Sequence, residues 1–145
     1  MAKLTAMETV VKNEHQVPLK TLVNALINVK LNEVVTRESF IINEVQACIP
    51  LRADTFTVIN ILDHLFKNVL RVTGKSCIRV TAKEYSHVML IHIYDNHDSN
   101  QDINDIVSDL IRSEATKIGG YVGITRKEKN QTVIAFSFPN IPAAA

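Results

Sequence analysis

The stretch Ile61 to Thr73 reads ILDHLFKNVLRVT and combines the spacing of a buried helix with polar side chains along one edge. It belongs to a longer segment, Thr55 to Val72, in which apolar residues recur at the i, i+3, i+7 spacing of a helix. These residues are Ile59, Leu62, Leu65, Phe66 and Val69. Asp54 stands at the N-cap position and Gly74 follows the last turn, so the pattern predicts a helix between them.

A narrow polar stripe runs along this predicted helix. It consists of Asn60, His64, Lys67, Asn68 and Arg71. At about 100° per residue, Asn68 lies at the border between this stripe and the apolar face. A side chain there reaches the rim of a helix–sheet contact, where it can meet a bound ligand or ion. The alternative is a solvated helix face with an amide at its edge.

The segments on either side predict two more helices and five strands. The first helix starts at Pro18 and buries Leu19, Leu22, Val23 and Leu26. The second runs over Ile103 to Ile118 and has Val107, Leu110 and Ile111 on its apolar face. Asp102 and Asp105 are its expected N-terminal caps, and Gly119-Gly120 ends it. The strands are Ser39 to Ala47 (closed by Pro50), Ile78 to Lys83, Val88 to Tyr94, Tyr121 to Thr125 and Thr132 to Phe138, with turns at Glu84 to His87 and Arg126 to Gln131. Interleaved helices and hairpins predict an α+β fold, a two-layer α/β sandwich with a mixed sheet of about five strands and about three helices on one face.

Composition limits the class of protein. The chain has 145 residues, is 46% hydrophobic and 21% charged, and carries a formal net charge of +1. We therefore expect one ordinary domain over residues 17–140, after a lead of residues 1–16 and before a tail of residues 141–145, and no nucleic-acid partner. The longest apolar runs fall far short of the roughly 18 residues that a membrane span needs. Cys48 and Cys77 lie far apart in apolar stretches, and we expect reduced core residues of a cytoplasmic protein.

A second candidate site follows the strand that ends at Tyr94. An acid directly after a buried strand, here Asp95, is either a turn-former or a buried acceptor for a donor on a ligand. A metal site built from His92, Asp95, His97 and Asp98 is a third reading. It is disfavoured because side chains alternate along a strand, so His92 and Asp95 would leave opposite faces.

Four segments in this order resemble the ATP-binding domain of sensor histidine kinases, the Bergerat fold that gyrase, Hsp90 and MutL share. The resemblance runs from about Val17 to Pro139. Ile61 to Thr73 resembles the family's asparagine-motif helix, and Asp95-Asn96-His97-Asp98-Ser99 resembles its D-N-G-x-G motif. Ile106 to Val122 resembles the family helix that ends in H-G-G-x-I, and Thr132 to Pro139 resembles its terminal strand.

The resemblance implies roles for six residues. Asn68 falls on the asparagine that coordinates the magnesium of Mg-ATP, and His64 falls on the family's earlier Asn or His. Asp95 falls on the aspartate that accepts a hydrogen bond from the adenine amino group, with the Thr132 hydroxyl beside it. Lys67 and Arg71 are then the cations nearest the triphosphate.

The family's glycines and its long lid are missing. His97 and Ser99 replace both glycines of the first glycine-rich motif, and Gln131 replaces the glycine before Thr132. A Cβ at these positions limits how closely backbone approaches a nucleotide. About seven residues, Asn96 to Asp102, stand where the family has its lid. A complete kinase is excluded, because the helical hairpin with a phosphoacceptor histidine is absent from this sequence.

Three functional hypotheses remain open. The first is the ATP-binding domain of a two-component signalling protein, with a reduced nucleotide site for ATP and Mg²⁺ and no complete kinase activity alone. The second is a domain that binds no nucleotide and acts as a protein-interaction or regulatory module, with a kinase dimerisation domain, a response regulator or another signalling protein as partner. The third is an unrelated α+β domain, such as a small-ligand binder.

Overall fold

The computed structural model describes residues 17–73, 75–96, 103–127 and 131–142. The helices are α1 (Leu19–Val29), α2 (Leu31–Thr36), α3 (Thr55–Thr73) and α4 (Asp109–Lys117). The strands are β1 (Val17–Pro18), β2 (Phe40–Asn43), β3 (Pro50–Leu51), β4 (Cys77–Tyr85), β5 (Val88–Asn96), β6 (Tyr121–Lys127) and β7 (Gln131–Pro139). The expected lead, residues 1–16, and the tail's residues 143–145 lie outside the described residues.

The main sheet has five strands in the order β2-β4-β5-β7-β6. β2 runs parallel to β4, and every other neighbouring pair is antiparallel. The small strands β1 and β3 pair separately, with Val17 opposite Leu51. The predicted α+β fold, a two-layer sandwich with a mixed five-stranded sheet, is confirmed. The short helix α2 is an addition that the sequence did not predict.

The hairpin between β4 and β5 sets the register of the sheet. Its two turn residues, Ser86 and His87, both have positive φ angles, 45° and 71°. A two-residue loop with both angles positive matches the twist of antiparallel strands, which normally selects Gly or Asn. The strands therefore extend to Tyr85 and from Val88, further than the expected turn at Glu84 to His87 allowed. This register places Asp95 opposite Ile78.

One face of the sheet carries the core. Alternate residues of β5, namely Met89, Ile91, Ile93 and Asp95, are fully buried, as are Ile78 and Val80 of β4. Their apolar members form one cluster with the buried faces of α1 and α3 and with Ile111 and Ala115 of α4. The helices therefore form a layer on this inner face.

The expected strand over Ser39 to Ala47 is shorter, because an asparagine ends it. The Asn43 Oδ1 accepts from the Val45 backbone N–H at 3.1 Å, a local bond that turns the chain where β2 ends. The Asn43 Nδ2 donates to the Lys20 carbonyl at 3.1 Å and to Asn24 Oδ1 at 2.7 Å. These bonds hold the end of β2 against α1.

The helix expected over Ile103 to Ile118 begins only at Asp109. Ser108 is its N-cap, with its hydroxyl accepting from the Ile111 N–H at 3.3 Å. Asp105 lies in the preceding turn and does not cap the helix, and Asp102 lies outside the described residues. Leu110, expected on the apolar face, is 57% exposed, because the buried stripe of α4 runs through Ile111 and Ala115 and Leu110 lies about 100° away from it.

The two cysteines are free thiols, as expected, but neither is a core residue. Cys48 is exposed in the connection between β2 and β3, and Cys77 is half-buried at the start of β4. Residue 77 alternates with the buried Ile78, so its side chain points to the sheet face that the helices do not cover. No helix among the described residues is long and apolar enough to cross a membrane.

Candidate functional site

Helix α3 has the two faces that the sequence predicted. Its apolar stripe is completely buried and consists of Ile61, Leu62, Leu65, Phe66, Val69 and Leu70. Asn68 and His64 are half-buried beside this stripe, whereas Lys67 and Arg71 are exposed. Asn68 thus lies at the rim of the helix, between core and solvent.

The Asn68 side chain contacts the segment that returns to the core after β5. Its Nδ2 donates to the Ile106 carbonyl at 2.9 Å. Ile106 and Val107 are themselves buried, so this segment packs against the helix layer. The amide nitrogen of Asn68 therefore has a structural partner, and its Oδ1 is the atom that suits a hard cation such as Mg²⁺.

Asp95 and Thr132 form a cross-strand pair on the inner face. They are directly opposite each other in the β5–β7 ladder, and both are fully buried. Side chains opposite each other in such a ladder have Cβ atoms about 5 Å apart. A carboxylate beside a hydroxyl offers acceptors and a donor together, which matches an amino group next to a ring nitrogen. In this conformation no ligand reaches either group without displacing what covers them.

Arg126 is a residue near this pair that sequence reasoning missed. It lies opposite Thr132 in the β6–β7 ladder, so Asp95, Thr132 and Arg126 occupy one row across three strands. The sequence pattern predicts a turn over Arg126 to Gln131, but β6 continues to Lys127 and β7 begins at Gln131. Arg126 is recognised only from the strand register, which places its guanidinium-bearing side chain in the same row as Asp95 and Thr132.

The alternative metal site is not assembled by the described residues. His92 points to the outer face of the sheet and Asp95 to the inner face, as strand alternation requires. His97 and Asp98 lie outside the described residues, as does Ser99. Within the described part of the chain, no group of three His, Cys, Asp or Glu side chains is arranged to hold a metal ion.

The outer face has its own electrostatic environment around His92. Its imidazole lies 5.6 Å from the Tyr94 ring, and the Arg79 guanidinium lies 5.2 Å from the centre of that ring. Burial lowers the pKa of His92 below 6.5, and the charges of Lys127 and Lys83 lower it further. These features belong to the opposite face from Asp95 and Thr132.

Comparison with solved structures identifies the fold. The catalytic domain of histidine kinase ThkA, in a nucleotide-free form, superposes with a TM-score of 0.75 at 15% identity, covering 88% of this chain and 95% of that one. Histidine kinase AdeS of Acinetobacter baumannii gives a TM-score of 0.75 at 10% identity, over 96% of this chain and 76% of the other. Full-length ShkA in complex with AMPPNP gives 0.71 at 18% identity, over 90% of this chain and 32% of ShkA.

No protein-family model matches the sequence, and no curated protein matches it either. The identities to the solved structures are all low, so the likeness is one of fold, and it extends over most of this chain. The order of helices and strands, the mixed sheet and the superpositions agree: the chain has the fold of the catalytic domain of histidine kinases, the Bergerat fold.

Proposed function

We propose that this chain is the ATP-binding domain of a two-component signalling protein and that its nucleotide site is reduced. Asp95 and Thr132 receive the adenine, and the Asn68 Oδ1 coordinates the magnesium of Mg-ATP. His64, Lys67 and Arg71 lie along the same helix toward the triphosphate. The observation that carries this proposal is the register pairing of Asp95 with Thr132 on the buried face. In this row the Asp95 carboxylate and the Thr132 hydroxyl lie side by side, with the Arg126 position one strand further, and this set of acceptors and donors suits a polar ligand.

The part of the proposed nucleotide site that is reduced is the part that would hold the phosphates. His97 and Ser99 stand where the resembled family has glycines, and only about seven residues, Asn96 to Asp102, stand in place of its lid. Phosphoryl transfer depends on positioning and charge stabilisation around the γ-phosphate. We therefore expect weak nucleotide binding and no complete kinase activity by this domain alone.

A second function has its own supporting observation. Asp95 and Thr132 are fully buried, and the Asn68 nitrogen is bonded to the Ile106 carbonyl. A site closed in this way suits a domain that binds no nucleotide and regulates a protein partner. The ThkA kinase, which shares the fold at a TM-score of 0.68, is known in complex with the response regulator TrrA. A response regulator, a kinase dimerisation domain or another signalling protein is the corresponding partner class here.

Calorimetric titration with ATP separates the two functions. With Mg²⁺ we expect weak binding by the wild-type chain and a loss of about tenfold or more in Asp95→Asn, since a hydrogen bond to a charged group contributes about 1.5–3 kcal/mol. Asn68→Ala is expected to remove the dependence of binding on Mg²⁺. Asp54→Asn is the matched control: it makes the same chemical change just before α3, at the end of the helix away from Asn68, and is expected to bind ATP as the wild type does.

The contrary result is equally informative. If ATP at millimolar concentration produces no heat with a folded wild-type chain, the nucleotide-binding proposal is wrong and the regulatory function takes its place. Binding that survives unchanged in Asp95→Asn would show that the adenine site lies elsewhere.

A further inference from the structure

The sheet face that points away from the helices, here called the outer face, is not covered by any described element. Its central side chains are Arg79, Thr81 and Lys83 of β4, Leu90, His92 and Tyr94 of β5, Val133, Ala135 and Ser137 of β7, and Tyr121, Gly123 and Thr125 of β6. None of them belongs to the core cluster that the inner face forms with the helices. The sandwich is therefore open on this side among the described residues.

The middle and the edges of the outer face are apolar and aromatic. The Tyr121 ring lies over Gly123, where an added Cβ would come within 3.0 Å of the ring. Tyr121 and Phe40 are each 67% exposed, and Ile42 beside Phe40 is 45% exposed. These residues lie at the two edges of the sheet, and Leu90, Tyr94, Val133 and Ala135 lie in the middle between them. Apolar side chains on an uncovered surface commonly mark an interaction site.

The charges of the outer face have one sign. Arg79, Lys83 and Lys127 lie around the aromatic centre, and none of the outward-pointing positions of the five described sheet strands is Asp or Glu. Glu44, just after β2, is a carboxylate close to this face and pairs with Arg79 at 3.4 Å. Lys127 and Lys83 also lie close enough to His92 to lower its pKa, after the larger effect of burial. A complementary partner must therefore be acidic.

The distance between Lys83 and Lys127 indicates how long a partner helix must be to contact both. Lys83 of β4 is level with Leu90 of β5, and Lys127 of β6 is level with Asn96 of β5. The two lysines are therefore six residues apart along the strands and three strands apart across the sheet. At about 3.4 Å per residue and about 4.8 Å per strand, their backbones are roughly 25 Å apart. A helix of about 16 residues spans this distance.

A protein helix fits these features better than a nucleic acid does. Three cations spread over this area meet about three phosphates, whereas DNA-binding proteins often neutralise about 6–10. The net charge of the whole chain is only +1. We propose that the outer face docks an amphipathic protein helix of about 16 residues, with apolar side chains over Tyr94, Val133 and Ala135 and carboxylates at its two ends facing Lys83 and Lys127. This proposal does not depend on nucleotide binding, because Asp95 and Thr132 point to the other face.

The test uses two synthetic peptides and the full chain. One peptide is an amphipathic helix of about 16 residues with a leucine stripe and glutamates at both ends. The other has lysines in place of those glutamates. In fluorescence anisotropy we expect the acidic peptide to bind, more weakly as salt is raised, and the basic peptide not to bind.

Matched variants locate the binding. The double variant Lys83→Glu/Lys127→Glu and the single variant Tyr94→Ala are each expected to weaken the acidic peptide about tenfold or more. Lys20→Glu/Lys117→Glu makes the same charge change on helices α1 and α4 and is expected to keep the affinity. Circular dichroism establishes that each variant is folded, and amide NMR shifts caused by the peptide are expected at His92, Tyr94 and Ala135.

Four results would overturn the proposal. The first is equal binding of the acidic and basic peptides, and the second is unchanged affinity in the folded Lys83→Glu/Lys127→Glu variant. The third is a single-stranded oligothymidine that binds this face while the acidic peptide does not, which would make the partner a nucleic acid. The fourth is self-association of the chain that Tyr94→Ala abolishes, with no peptide binding, which would make the occupant a second copy.

Discussion

Asn140 joins three parts of the chain through one fully buried side chain. Its Oδ1 accepts from the Arg52 and Ala53 backbone N–H groups at 2.7 and 3.2 Å. Its Nδ2 donates to the Pro50 carbonyl at 2.9 Å and to Glu84 Oε2 at 2.7 Å. These bonds fix the end of β7 to the start of α3 and to the β4–β5 hairpin.

We therefore expect Asn140→Ala to lower the free energy of unfolding by about 3 kcal/mol or more, because each buried group left unsatisfied costs about 1–3 kcal/mol. Urea denaturation measures this loss. Ile141→Ala, which changes an exposed neighbour, is the control and is expected to stay within about 0.5 kcal/mol of the wild type. Similar stabilities of the two variants would contradict this account of Asn140.

The lowered pKa of His92 makes stability depend on pH. The folded chain binds the proton less readily than the unfolded chain, whose histidine titrates near 6.5, since burial and the charges of Lys127 and Lys83 oppose the imidazolium. The contribution of His92 is therefore complete above 6.5 and declines as pH falls through 6.5 toward the folded pKa.

We expect His92→Gln to flatten this part of the stability profile. The measurement is the free energy of unfolding of both proteins between about pH 5 and 8, the range in which histidine titrates. The other histidines are common to both proteins, so the difference between the two curves isolates His92. A difference that does not vary with pH would show that the His92 pKa is unshifted.

At the scale of elements, the start of α4 matters more than its length of nine residues suggests. Ser108 caps it, and the turn just before it supplies the Ile106 carbonyl that binds Asn68. Arg112 also donates to the Val107 carbonyl at 3.0 Å. The cap, the turn and the edge of the candidate site are therefore one connected structure.

Ser108→Ala is expected to lower the free energy of unfolding by about 1 kcal/mol, because it removes the acceptor for an orphan N–H of the first turn. It is also expected to speed hydrogen exchange at the amides from Ile106 to Arg112. Ser113→Ala, in the exposed middle of α4, removes the same hydroxyl without a cap and is the matched control. If both variants exchange alike, Ser108 does not hold the turn.

At the scale of the whole molecule, the sheet separates two surfaces. The inner face carries the core and, at one end, the row of Asp95, Thr132 and Arg126. The outer face carries the cations and aromatic rings. Because side chains alternate along a strand, neighbouring residues such as Tyr94 and Asp95 serve different surfaces. Occupancy of one surface is therefore expected to leave direct contacts at the other unchanged.

Local patterns in the sequence determined the fold class, the helix that carries Asn68 and the strands that carry Asp95 and Thr132. Periodicity, caps and turn residues act over a few neighbours, and these can be seen in a single chain. For this reason the two faces of α3 and the mixed sheet could be predicted, although the ends of β2 and α4 could not.

Only the tertiary structure decided where the site's polar atoms are placed. The bond from Asn68 to Ile106 joins residues 38 positions apart, and the bond from Arg52 to Asn140 joins residues 88 apart. The place of Arg126 depends on ladder register, and the burial of Asp95 depends on everything packed above the sheet. Such contacts form between segments distant in the chain, and local periodicity carries no information about which distant groups will meet.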